Sequence, residues 1–331
     1  MNKKVFGFLD TGATVHKFTI KNLDTEATVM TYGATLTELK FLDRDVLCGY
    51  DTLDDYVIDD SHQGGIIGRV ANRIKNAEIT VEGKLYSLRK NDGENCLHGG
   101  NGFDRRVWNV VDFCDTGITL SYISKDFEEG FPSSVEATVT YSIDERGALK
   151  IDYLAIPDGK TPIAMTNHAY FNLNEIGTDV LSHTAMISAD RYTEVDTTLI
   201  PTGNRPSVEG TALDFREETE IGKRIGEVGM GYDHNFILSP SPEKYDSLPL
   251  AAKVCGEKIK MSVYTDQPGI QFYTGNFLCG EPDFKGGRKR IKHGAFCLEA
   301  QTEPNCINQG IGFYEAGEVY TQTTVYEVLK F

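Results

Sequence analysis

The chain has 331 residues, 40% of them apolar and 25% charged, which is enough to bury a sizeable core and excludes disorder as its main description. Lysine and arginine number 33 against 49 aspartates and glutamates, and the formal charge of −16 repels nucleic-acid phosphates and anionic membranes. No run of about 20 apolar residues is present to span a bilayer, and residues 5–9 are too short a stretch for a signal-peptide core.

Taken along the chain, strand signals dominate. Residues 27–41 are the first candidate, followed by a weak helical turn near Leu53–Ile58. Residues 78–88 alternate around Glu82, Gly83 and Lys84 like a hairpin. Residues 118–124 come next, and then 137–143 and 149–156, separated by the turn-forming Asp144 to Gly147. After a candidate at 184–189 stands the one amphipathic helical pattern, Ile221, Ile225 and Val228 within residues 217–229. Further strands are expected at 258–265, 270–277, 295–301 and 319–329, most of them rich in Val, Ile, Thr, Tyr and Phe. Many short strands with few short helices indicate an all-β sandwich or barrel. With no linker, low-complexity segment or fixed-period repeat, residues 1–331 read as one domain.

Seven cysteines, an odd number without CxxC spacing, indicate neither a disulfide framework nor a zinc ribbon and fit a reduced cytoplasm. The seven histidines show no HExxH or HxxxH spacing, so no metal is expected. The basic run Arg288, Lys289, Arg290 and Lys292 reads as a solvated loop or strand edge.

A few polar residues stand out against this background. Alternation in residues 295–301 puts Cys297, Glu299 and Gln301 on one face of a strand, and a mid-strand carboxylate is as readily a solvent-facing residue as a catalytic base. Gln271, which shares a face with Tyr273, leaves the same choice. His98 precedes two glycines that permit close approach of backbone or ligand, and His168 has polar neighbours; each alone reads more simply as a hydrogen-bonded turn or core histidine. Asp233, His234 and Asn235 read first as a turn or cap. Asn72 and Arg73 lie in no nucleotide-binding glycine pattern, and Arg69 and Arg73 equally suit surface ion pairs.

Taken together, the segments TYGATL (31–36), GRVANRI (68–74), LHGG (97–100), GFDRRVW (102–108), TNHAYFNL (166–173), LIPTG (199–203), DHNF (233–236), QPGIQFYTGN (267–276) and CLEAQ (297–301) resemble the aldose 1-epimerase, or galactose mutarotase, family. Their shared order along most of the chain makes the resemblance specific. It implies a large twisted antiparallel β-sandwich with an open sugar cleft, and an isomerase that interconverts α and β anomers of free aldohexoses such as galactose and glucose without a cofactor. It further implies that Glu299 is the general base and His168 the general acid, with Asn72, Arg73, His98, Asp233 and Gln271 contacting the sugar. These residue types supply the donors and acceptors that orient a pyranose. The chain departs from the family at residues 309–315, where a proline-containing stretch is usual, and at Ala300, where Thr or Pro is usual; the shape of the C-terminal loop is thereby open.

An exposed glutamate is ionised at neutral pH, whereas an exposed histidine is mostly neutral. The acid role therefore calls for a carboxylate, Glu299 or Asp233, to raise the pKa of His168, an effect that apolar burial opposes. A glycoside hydrolase pairing Glu299 with Asp233, a non-catalytic sugar-binding module and a hexose-phosphate mutarotase using Arg69 and Arg73 are the competing readings. Monomer and homodimer remain equally open.

Overall fold

A computed structural model describes residues 2–330. Period-2 alternation builds most of its strands. In Val135–Ile143 the buried positions are Val135, Ala137, Val139, Tyr141 and Ile143, while Glu136 is exposed. This strand pairs residue for residue with Leu149–Pro157. Between them Asp144 Oδ1 accepts the backbone N–H groups of Arg146 and Ala148, so the expected turn is closed by its own aspartate.

Leu149–Pro157 pairs with the C-terminal strand Tyr320–Lys330, which also pairs with Ile259–Thr265. The last strand thus stands in the middle of a ten-stranded sheet that runs from Asn109–Phe113 to Thr219–Glu220. Residues 2–45 form a five-stranded sheet in chain order. A four-stranded sheet has the order Ala189–Tyr192, Asp233–Leu238, Gly269–Tyr273 and Cys297–Gln301. All pairs in these sheets are antiparallel. Ile20 and Val29 of the first sheet, Val139, Ile151 and Val263 of the second, and Phe236, Phe272 and Leu298 of the third meet in one buried core. The architecture is a large antiparallel β-sandwich.

Two expected elements take a different form. The candidate strand 27–41 is split into Thr25–Met30 and Leu36–Phe41, because the chain turns at Gly33, where φ is +68° and a Cβ would stand 2.5 Å from the Asp104 carbonyl oxygen. The helix expected over 217–229 is instead the short strand Thr219–Glu220 and the 3₁₀ turns Ile221–Lys223 and Ile225–Val228. Gly222 and Gly226 weaken an α-helix, and the N–H groups of Ile221 and Gly222 bond to the carbonyls of His183 and Leu181 across the chain. The turn at Leu53–Ile58 is an α-helix, capped by Thr52 Oγ1, which accepts the Asp55 N–H at 3.2 Å.

Candidate active site

The four-stranded sheet provides the floor of a cleft. All five residues of Cys297–Gln301 are buried. Leu298 packs into the core, so alternation turns Glu299 to the opposite face. Antiparallel register sets Gln271 opposite Glu299, Asn235 opposite Gln271, and Asp233 opposite Tyr273. Side chains from strands far apart in the chain, Asp233, Gln271 and Glu299 among them, therefore share one face. Residues 233–235, read above as a turn, belong to the strand Asp233–Leu238, where they lie in antiparallel register with residues 271–273 on one side while the Asn235 carbonyl accepts the Thr193 N–H on the other.

His168 is delivered by a different junction. Its N–H donates to the Gly65 carbonyl at 3.0 Å, and the Gly64 N–H donates to the His168 carbonyl at 2.9 Å. Its ring stacks on Tyr170, with centroids 5.0 Å apart, and Nε2 lies 3.7 Å from Glu299 Oε1. Glu299 Oε2 is buried and has no hydrogen-bond partner among the described residues. Asn72 and His98 both adopt positive φ, 59° and 53°, and tie two loops together. The His98 N–H donates to the Asn72 carbonyl, and the Asn72 N–H donates to His98 Nδ1 at 3.2 Å. Arg73 Nε donates to Asp92 at 2.7 Å, and Gln271 Nε2 to Asp233 Oδ1 at 2.6 Å.

Glu299, His168, His98, Asn72, Arg73 and Asp233 all line a cleft of about 400 Å³, with Tyr170, Tyr273, Phe277 and Leu278 supplying apolar wall. That volume and mixture suit a small polar ligand with two apolar faces. Gln271 lies beneath, holding Asp233 while its own carbonyl oxygen has no partner among the described residues.

Burial dominates the electrostatics. It pushes the Glu299 carboxyl well above the usual carboxylate range; Asp233 adds to the shift and Arg73 opposes it. The residue is thus not the exposed, fully ionised carboxylate that the sequence allowed. Burial, reinforced by His62, pulls His168 down to about 3. The expected rise driven by a neighbouring carboxylate is overturned, since desolvation of the cation outweighs it. His98 is likewise held well below its usual value, by burial first and then by His62 and His168. With Nδ1 accepting a backbone N–H, neutral His98 carries its proton on Nε2 and is a donor there.

That tautomer also bears on metal binding. His98, His168 and Glu299 bring ligand atoms within 4.8 Å of one another. Both His98 nitrogens are occupied, however, one by the Asn72 N–H and one by its own proton, so the cluster does not offer three free lone pairs to a cation.

Sequence reasoning missed several cleft residues. His62 was hidden in a glycine-adjacent turn, and Asp92 enters only as the partner of Arg73. Arg290, read as part of a solvated run, is buried in the cleft wall 3.4 Å from Asp59 and 3.7 Å from Asp60; Arg288, Lys289 and Lys292 of the same run are exposed. Arg69 is also buried, its guanidinium donating to the Pro132 and Ser133 carbonyls and to Ser124 Oγ. It is therefore not available to a phosphate. Residues 309–315 lie away from the cleft, and Phe313–Tyr314 pairs with Thr161–Pro162.

A β-sandwich whose cleft floor brings a buried carboxyl within 3.7 Å of an imidazole, with donors and aromatic walls around them, holds the groups that acid–base chemistry on a small polar ligand requires. The sequence model of the aldose 1-epimerase family matches residues 16–327. The galactose mutarotase of Sus scrofa is 41% identical over 338 aligned residues, covering 98% of this chain and 97% of that protein. Among solved structures, an aldose epimerase homologue from C. elegans is 31% identical with a TM-score of 0.87, covering 95% and 98% of the two chains. Galactose 1-epimerase from Lactobacillus acidophilus is 26% identical with a TM-score of 0.88, covering 99% and 98%. The chain belongs to the aldose 1-epimerase family and is an isomerase of the mutarotase type.

Proposed function

We propose that this protein interconverts the α and β anomers of free aldohexoses, galactose and glucose among them, with Glu299 as general base and His168 as general acid. The observation that carries the assignment of roles is the buried Glu299–His168 pair at 3.7 Å, with Glu299 Oε2 on the cleft floor without a partner among the described residues. Glu299 removes the proton of the C1 hydroxyl while His168 protonates the ring oxygen. The C1–O5 bond breaks, C1 becomes a carbonyl, and rotation about C1–C2 presents its other face. Reclosure returns one proton to O1 from Glu299 and one from O5 to His168.

The proton count makes the electrostatics intelligible. The active pair carries one proton throughout, as carboxylate plus imidazolium before ring opening and as carboxylic acid plus neutral imidazole after it. Burial favours the second arrangement, so the proton moves from Glu299 to His168 at a cost before the ring opens, and ring opening restores the arrangement that desolvation favours. No redox step or group transfer occurs, and no cofactor is invoked.

In this reading Asn72, Arg73, His98 and Asp233 bind sugar hydroxyls, and Gln271 orients Asp233. The donor Nε2–H of His98 suits the ring or anomeric oxygen. Arg73 and Arg290 each already face a carboxylate, which favours a neutral sugar over a sugar phosphate. The cleft draws on residues from 60 to 299, which supports one functional domain over the whole chain. The seven unpaired cysteines support placement in a reducing cytoplasm, where the enzyme would serve hexose metabolism.

Polarimetry of freshly dissolved α-D-galactose and α-D-glucose, with the spontaneous rate subtracted, tests the proposal. Acceleration of either approach to equilibrium is expected. A folded protein that accelerates neither would refute it, and release of aglycone from a nitrophenyl glycoside would replace it with hydrolysis.

A further inference from the structure

His62 is absent from the roles assigned above, yet it lines the cleft beside the two histidines already described. Its ring meets His98 edge-on with centroids 4.7 Å apart and lies 6.0 Å from that of His168. Nδ1 is 2.8 Å from Oδ2 of Asp104. That carboxylate is buried and also pairs with Arg105 at 3.1 Å. Burial opposes the Asp104 charge, but His62 and Arg105 together hold its carboxyl below the usual range. Asp104 therefore stays an acceptor that fixes the ring by Nδ1.

The turn beneath is built to hold this position. His62 has φ +58°, and its carbonyl accepts the Gly65 N–H at 3.0 Å. A Cβ on Gly65 would stand 2.8 Å from Asp104 Cβ, so the turn is pressed against the residue that orients His62. Gly64 and Gly65 then exchange backbone bonds with His168. The imidazole is thereby locked at both ends, by carboxylate and by backbone, in a left-handed conformation that a residue with a side chain adopts at a cost. Nε2, across the ring from Asp104, has no protein partner among the described residues and is not among the sealed, unpartnered atoms.

We propose that His62 is a specificity-determining residue whose Nε2, oriented through Asp104, hydrogen-bonds a non-anomeric hydroxyl of the bound aldose. The inference rests on the mutarotase reading and adds a contact to it. A hydroxyl contact made by a pre-oriented ring discriminates strongly, since a sugar lacking that hydroxyl leaves the polar group unpaired.

The test measures Kd by calorimetry and kcat and KM by polarimetry for galactose and its 2-, 3-, 4- and 6-deoxy analogues. Two variants are compared with wild type: His62→Phe keeps the ring against His98, and His62→Asn accepts the left-handed backbone. In both, Kd and KM for galactose should rise about 5- to 30-fold, as for one lost hydrogen bond, with kcat within about threefold. For one deoxy analogue the wild-type and variant affinities should converge to within about twofold. Asp104→Asn should weaken binding of the same sugars by less. Unchanged galactose affinity in both His62 variants, or an equal penalty on every analogue, would overturn the inference and leave His62 a packing residue. Wild type that accelerates no sugar would instead overturn the mutarotase reading.

Discussion

Replacing Glu299 with glutamine separates chemistry from architecture. The amide matches the carboxyl in shape, so the strand Cys297–Gln301 and its register with Gly269–Tyr273 should persist. What disappears is the proton acceptor at 3.7 Å from His168. Removing a positioned general base lowers turnover by about 100- to 10,000-fold, equivalent to about 3–5 kcal/mol of barrier. KM for galactose should move far less, because the hydroxyl-binding side chains stay in place. The same change should stabilise the fold at neutral and higher pH. Glu299 is 2% exposed, and the amide, which cannot ionise, is spared the cost of burying a charge, an effect expected to show as a few degrees in Tm.

The sign follows from the raised pKa of Glu299. Stability contributed by its protonated form is fully present below about 4.5, the ordinary glutamate value, and is lost as pH rises through the folded-state pKa. The Tm advantage of Glu299→Gln over wild type should therefore grow with pH above about 4.5. Polarimetry and calorimetric melting of both proteins across pH provide the check. A variant with kcat within threefold of wild type would remove Glu299 as the base, and a Tm gap that shrinks with rising pH would refute the account of its burial.

The protonation of the pair predicts a second profile. His168 takes up an additional proton only near 3, whereas Glu299 loses its proton above the usual carboxylate range, so kcat/KM should hold through mildly acidic pH and fall on an alkaline limb that belongs to the pair. Loss of activity at pH 6 to 7 as the pH is lowered would contradict the assignment. Asp92→Asn should raise KM for galactose about threefold to tenfold with kcat little changed, since Arg73 loses its 2.7 Å anchor but keeps its charge; a fall in kcat alone would show that Arg73 acts on the reacting atoms. Leu298→Ala, directly behind the base and 1% exposed, should lower unfolding free energy by about 2–5 kcal/mol in urea titration, and a loss below about 1 kcal/mol would mean that the core collapses onto the cavity.

Much of this protein was legible in the chain itself. Period-2 alternation and local turn chemistry located most of the strands, because both signals act between residues that are neighbours in sequence. The hairpin at Glu78–Val81 and Lys84–Ser87 and the pairing across residues 144–148 are such cases. The order of the family segments marked Glu299, His168 and the contact positions Asn72, Arg73, His98, Asp233 and Gln271, six of which line the cleft, with Gln271 beneath it.

Only tertiary structure decided the environment of those residues. Residues 217–229 kept a helical pattern in sequence, but glycines and cross-chain hydrogen bonds to His183 and Leu181 drew the backbone into 3₁₀ turns. Arg290 was inseparable from a surface basic run until Asp59 and Asp60 were brought to it. His62 acquired its orientation from Asp104, 42 residues away. The protonation states of Glu299 and His168 were beyond sequence for the same reason. A pKa depends on how much water the fold removes and which charges it brings near, and both quantities are set by contacts between residues far apart in the chain.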